Sequence, residues 1–239
     1  MKEFLLDVFF PKFCFGCQKE TTYLCQDCRG LLEILEHTWC LCDKKPLQLP
    51  LDEQHGKCQR CRDKKISALY FALPYKNPVI KKMIYQFKYS PYVKDLAETL
   101  ASLIIEHLIK IKKNTNEVFE NAVLVPIPVD KKKLRIRGYN QSELLADQLA
   151  NIIKIPVIKN NLIKIKQTKP QMELSKEDRE NNLKEAFLLE NPEELKNKKV
   201  FLVDDVYTTG STIGECANIL KDSGVKHIFA LTIAREEFT

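Results

Sequence analysis

The chain has 239 residues, 44% of them apolar and 29% charged, with a formal net charge of +6. That length suits one full domain plus a small appendage, and the apolar fraction allows a proper core. No apolar run approaches the length of a membrane span. The charge is uneven. Residues 121–171 hold ten Lys/Arg against three Asp/Glu, whereas residues 172–239 hold nine against fourteen. The basic middle could attract pyrophosphate or nucleic acid, although scattered lysines also describe a solvated face.

Residues 1–11 place acids inside a short apolar stretch, which makes a poor signal peptide, and the expected address is the cytoplasm. Eight of the nine cysteines follow between Cys14 and Cys61. In a reducing compartment such clustered pairs read as metal ligands rather than disulfides. Cys14 with Cys17 and Cys25 with Cys28 are C-x2-C pairs, as is Cys58 with Cys61, while Cys40 and Cys42 are separated by a single residue. Two pairs complete a tetrahedral four-sulfur zinc site. The simplest scheme is sequential, with the first four cysteines on one ion and the last four on a second, although interleaved pairing satisfies the spacing equally. The short Cys40/Cys42 spacing strains the usual turn, and His37 or His55 could substitute for one of them. Four thiolates leave no open coordination position, so two structural zinc ions are expected, replacing a core that some sixty residues cannot build. Lys57, Arg60, Arg62, Lys64 and Lys65 could present this module to a nucleic acid.

Past Cys61 the pattern changes, and residues 1–65 are read as the metal module, residues 66–239 as the main domain. Periodicity predicts a strand at 67–73, helices at 78–89 and 93–113, a buried strand at 122–127 and a helix at 140–153. Apolar strands at 200–203 and 227–233 enclose a helix at 211–222, on which Cys216 reads as a small core residue. Alternating strands and helices imply an α/β fold with a parallel sheet covered on both faces. The strand at 122–127 runs into two prolines and a basic loop containing Lys131, Lys132, Lys133, Arg135 and Arg137, suited to an anion such as pyrophosphate. A polar stretch from Lys166 could close over a site, and Ser175 with Asp178 looks like a helix cap.

The most informative segment is 200–212, where an apolar strand ends in Asp204-Asp205 and runs through Thr208-Thr209-Gly210-Ser211-Thr212 into a helix. Backbone N–H groups at a helix start bind a phosphate monoester, and Gly210 lets the backbone approach closely. The two carboxylates can accept hydrogen bonds from neighbouring ribose hydroxyls. This segment resembles the 5-phosphoribosyl-1-pyrophosphate (PRPP) signature of type I phosphoribosyltransferases.

With the other motifs, the chain resembles the ComF (competence protein F) family, which joins a cysteine-rich double zinc-ribbon module to a type I phosphoribosyltransferase-like domain. Arg137-Gly138-Tyr139-Asn140-Gln141 matches one family block, and Thr168, Gln171, Leu174, Ser175, Arg179 and Asn182 match another. The resemblance implies a role in DNA uptake during natural transformation, handling single-stranded DNA beside a helicase-like partner. In that reading Thr208, Thr209, Gly210, Ser211 and Thr212 hold the 5′-phosphate, Asp204 and Asp205 the ribose hydroxyls, and Arg137 the pyrophosphate with Mg²⁺. Arg135, Arg137, Lys131, Lys132 and Lys133 are the candidate DNA contacts. No segment reads as a nucleobase pocket, so the expectation is a binding protein for PRPP or related sugar-phosphates. The alternative is an active Mg²⁺-dependent phosphoribosyltransferase with an unknown nitrogenous acceptor.

Overall fold

The structure, a computed structural model, describes residues 11–42, 46–49, 57–111, 119–166 and 186–236. The second family block, Thr168 to Asn182, and His55 lie outside the described residues. Four parallel strands build the main sheet: β3 (Ala68–Pro74), β4 (Ala122–Pro126), β7 (Lys199–Val203) and β9 (His227–Arg235), in the order β3-β9-β7-β4. The expected strands therefore form, within a residue or two of the predicted ends. A short β8 (Val206–Tyr207) continues beside β9 where β7 stops. The register offset is unchanged across the gap, with Val203 opposite Leu231 and Val206 opposite Ala234. Asp204 and Asp205 fill that gap and stay pinned to β9. The Asp204 N–H donates to Leu231 O at 3.0 Å, and Asp205 O accepts from the Ile233 N–H at 3.0 Å.

Two apolar layers cover the sheet. On one face β-strand residues such as Tyr70, Leu124, Phe201 and Leu231 pack beneath three helices, α2 (Pro78–Lys88), α3 (Leu96–Lys110) and α5 (Gln141–Ile153). Helix α2 shows why these residues fold as they do. The Asn77 side chain accepts hydrogen bonds from Val79 N and Ile80 N, Pro78 occupies the first turn, and Ile80, Met83, Ile84 and Phe87 are buried along one stripe. On the other face Phe71, Val125, Leu202 and Ala230 pack against α6 (Ser211–Asp222) through Ile213, Cys216, Ala217 and Leu220. An antiparallel hairpin of β5 (Leu162–Lys164) and β6 (Phe187–Leu189) joins that layer.

The front end divides between these two faces. Leu24, Leu32 and Ile34, beside the short helix α1 (Gln26–Gly30), join the layer containing α3, and Arg29 donates to Glu106 Oε2 and Ser102 Oγ on that helix. Cys40, Leu41, Cys42 and Cys61 join the opposite layer together with Leu49 from the small hairpin of β1 (Thr38–Trp39) and β2 (Gln48–Leu49). Between them the chain passes the β3 edge, where Leu35 N donates to Ala72 O at 3.0 Å.

The basic loop of the sequence reading is a helix, α4 (Lys131–Arg137). Asp130 caps it by accepting from Lys132 N at 2.8 Å, and Gly138 ends it at φ +80°.

Candidate sugar-phosphate site and metal centres

The acidic pair sits at the carboxyl end of β7, where parallel sheets offer ligand sites. Its two members differ. Asp205 is 2% exposed and receives the Lys88 ammonium on Oδ1 at 2.9 Å. Its Oδ2 is buried without a hydrogen-bond partner among the described residues. Asp204 is partly exposed, and its Oδ1 accepts from Ser142 Oγ at 3.0 Å and from the Asp205 N–H at 2.9 Å. Desolvation, reinforced by the neighbouring Asp205 charge, pushes the Asp204 carboxyl up to about 7. Burial works against the charge on Lys88, but the two carboxylates outweigh it and hold the ammonium above the ordinary lysine range.

Lys88 and Ser142 were not among the residues expected at the site. Lys88 is the last residue of α2, which faces the acidic pair because β3 lies next to β9. The Arg137–Gln141 block brings Ser142 into place. Asn140 caps α5 by accepting from Ser142 N at 3.0 Å, and its Nδ2 donates to Ile127 O at 3.1 Å. Tyr139 Oη donates to Phe87 O at 2.6 Å, which fastens α5 to the end of α2 beside Lys88. Arg137 Nη1 donates to Gln141 Oε1, and Arg137 Nε is buried with no hydrogen-bond partner among the described residues. Lys131, Lys132, Lys133 and Arg135 are exposed along α4.

Thr208, Thr209, Gly210, Ser211 and Thr212 are all partly exposed at the start of α6. Gly210 takes φ +77°, and a Cβ there would collide with the Tyr207 ring, so only glycine fits this turn. Thr209 Oγ1 lies 2.7 Å from Ser211 Oγ and accepts from Ser211 N at 3.3 Å, which leaves a compact turn lined by hydroxyls at a helix N-terminus.

The cysteines gather in the sequential scheme: Cys14, Cys17, Cys25 and Cys28 in one cluster, Cys40, Cys42, Cys58 and Cys61 in the other, with each set of sulfurs within 4.8 Å of one another. A zinc–sulfur tetrahedron with bonds of about 2.3 Å separates its sulfurs by about 3.8 Å. The Cys17–Cys25 and Cys42–Cys58 pairs, at 3.6 and 3.5 Å, and Cys58–Cys61, at 3.8 Å, fit that spacing. Backbone amides already point at the sulfurs, from Cys25 N to Cys14 Sγ at 3.3 Å and from Leu47 N to Cys40 Sγ at 3.0 Å. Gly16 fits for a steric reason, since a Cβ there would lie 2.5 Å from Cys28 Sγ. Burial raises the Cys14 thiol, but the Cys25, Cys17 and Gly16 amides outweigh it and bring it down to about 6. Cys28 is pushed up to about 12 by the thiols of Cys17 and Cys25. The two clusters can hold two metal ions. Both Cys40 and Cys42 contribute despite their short spacing, and His37 is exposed outside the cluster.

The sheet order, the acidic pair at its carboxyl end and the following turn define a phosphoribosyltransferase-like domain. The family model for a phosphoribosyl transferase domain matches residues 139–237. The chain is 32% identical over 229 residues to Competence protein F of Haemophilus influenzae, covering 89% of this chain and 97% of that protein. It is 29% identical over 189 residues to the DNA utilization protein YhgH of Escherichia coli, covering 78% and 81%. With Competence protein ComFC of Bacillus subtilis the identity is 26% over 219 residues, covering 84% and 79%. The chain belongs to the competence protein F family. Among the described residues, no helix is long and apolar enough to cross a membrane.

Proposed function

We propose that this protein binds PRPP or a related ribose 5-phosphate and uses that site in handling single-stranded DNA during uptake. The observation that carries the reading is the carboxylate pair fixed between Lys88 and Ser142, next to a hydroxyl-lined turn at a helix start. The 5′-phosphate sits on Thr208, Thr209, Gly210, Ser211 and Thr212, on backbone N–H groups and the positive end of α6. The partly exposed Asp204 accepts a ribose hydroxyl, and the buried Asp205, whose Oδ2 has no hydrogen-bond partner among the described residues, is the acceptor behind it. Arg137, half-buried at the end of α4, turns its guanidinium to the pyrophosphate and its Mg²⁺. Zinc fills both four-cysteine centres of residues 1–65, and residues 66–239 carry the ligand site.

The DNA part of the proposal draws on the competence and DNA-utilization relatives and on Lys131, Lys132, Lys133 and Arg135, which line an exposed helix. A cytoplasmic location and a helicase-like partner belong to the same reading. Phosphate contacts from these cations make binding salt-dependent. Affinity for an oligothymidylate should therefore fall linearly in log–log terms with salt, and Arg135→Ala/Arg137→Ala should flatten the slope. Binding indifferent to salt would remove DNA from the proposal.

Transfer to a nitrogenous acceptor is the second reading, favoured by the complete set of acidic pair, turn and Arg137. Positioning and electrostatics suffice for that chemistry, since pyrophosphate leaves with Mg²⁺ and no covalent nucleophile is needed. Incubation with Mg²⁺–PRPP, nucleobases and cell extract distinguishes the two. Pyrophosphate release abolished by Asp204→Asn/Asp205→Asn supports transfer, and binding without release supports the first reading.

A further inference from the structure

The C-terminal end of β9 holds a side chain that neither reading uses. Arg235 is 1% exposed, the largest fully buried side chain among the described residues. Its Nη1 donates to Cys40 O at 2.7 Å and its Nη2 donates to Cys42 O. One guanidinium therefore reads both halves of the closely spaced cysteine pair. Both thiols enter the second metal cluster while both carbonyls converge on Arg235.

The same guanidinium lies over two rings, with Cζ 5.7 Å from the Phe71 centroid and 5.4 Å from that of Tyr207. Tyr207 pairs with Arg235 in the β8–β9 ladder, and its carbonyl accepts from Glu236 N at 2.9 Å. Its ring, 1% exposed, fills the space beneath Gly210. An unbroken line of contacts thus runs from the second cluster through two carbonyls, Arg235 and Tyr207 to the turn that begins α6. Among the described residues, the first cluster has no equivalent. Its own arginine, Arg29, leads to Glu106 and Ser102 on α3, under the opposite face of the sheet.

We propose that Arg235 is a positioning residue that makes the second four-cysteine centre part of the sugar-phosphate site. A metal at that centre fixes the carbonyls of Cys40 and Cys42, and these fix the guanidinium that supports Tyr207 and the turn at 208–210. Without the metal the two carbonyls lose their anchor, a buried cation loses fixed acceptors, and the turn loosens. Affinity for a phosphate monoester therefore follows occupancy of the second centre and is independent of the first. This rests on the reading of residues 204–212 as a ribose-phosphate site. Because linkage is reciprocal, ligand at the turn must hold the second metal more tightly by the same factor.

The test uses the full zinc-loaded chain, Arg235→Gln, and Arg29→Gln as the control. Amide hydrogen exchange across 206–212, measured without ligand, should rise at least about ten-fold in Arg235→Gln and stay unchanged in Arg29→Gln, with both variants retaining two zinc ions and normal protection of β7. In equilibrium competition with a chelator, ribose 5-phosphate should tighten one of the two ions by about ten-fold in the wild type and in Arg29→Gln, and have no such effect in Arg235→Gln. Unchanged exchange at 206–212 in Arg235→Gln would overturn the linkage, as would an equal tightening of the metal in that variant. Should Arg235→Gln fail to fold, the wild-type chelator measurement decides alone, and two ions indifferent to bound ribose 5-phosphate refute the proposal. Failure of ribose 5-phosphate to bind the wild type would instead refute the site reading, and the ligand-free exchange comparison would still judge the linkage.

Discussion

Replacing Lys88 by Met removes the cation that compensates a buried carboxylate. Across 2.9 Å the attraction between Lys88 Nζ and Asp205 Oδ1 is about 6 kcal/mol at an effective dielectric of about 20. Desolvation of both groups offsets much of this. The Lys88 side chain is 24% exposed, so solvent screens part of what remains. The structural loss is nonetheless larger than for a surface pair, because Asp205 is left 98% buried with neither oxygen paired to a cation. A net destabilisation of about 2–4 kcal/mol follows for Lys88→Met. Asp205→Asn in the same background should return part of it, with a coupling energy of about 2 kcal/mol in the double-mutant cycle. Urea unfolding followed by circular dichroism with zinc saturating gives the four stabilities. A Lys88→Met stability within about 0.5 kcal/mol of the wild type, or strictly additive single-variant costs, would show that the pair does not hold the site.

Gly16→Ala brings a Cβ to 2.5 Å from Cys28 Sγ, so one of the two metal ions should bind at least about ten-fold more weakly in a chelator competition while the other is unaffected. Gly210→Ala meets both the left-handed φ of +77° and the Tyr207 ring, and calorimetry should register a loss of ribose 5-phosphate affinity of at least about ten-fold with the metal content intact. Asp204 gives a pH signature. Its folded carboxyl near 7, against an ordinary value of 3.8, means that the folded state binds this proton more tightly than the unfolded chain between those limits. Its contribution to stability therefore falls as pH rises toward 7. Asp204→Asn should be more stable than the wild type near pH 8, and its advantage should shrink toward pH 6; urea midpoints showing a pH-independent gap would contradict the assignment.

Much of this site was legible in the sequence because its parts are contiguous. A β-strand, two acids, a hydroxyl-rich turn with one glycine and a helix follow one another from Val200, and apolar periodicity alone located the strands and helices around them. The run of cations after two prolines read as a basic loop suited to an anion, whereas the Asp130 cap and the Gly138 stop bound a helix, α4. Lys88, Ser142 and Arg235 were not legible. Each is a polar residue at the end of an ordinary element, and its partner is 117, 62 or 195 residues away in sequence. Only the sheet order, which sets β3 beside β9 and β9 beside β7, brings them together. The cysteine spacings disclosed two centres but could not place them on opposite faces of one sheet, because that depends on where the chain passes the β3 edge.

Calorimetric titration of the zinc-loaded protein with Mg²⁺–PRPP puts the ribose-phosphate site built on Asp204, Asp205 and the turn at 208–212 to the test. Saturable one-to-one binding is expected, weakening at least about ten-fold in Asp204→Asn/Asp205→Asn. An absence of heat in the wild type, or the same affinity in the double variant, would contradict it.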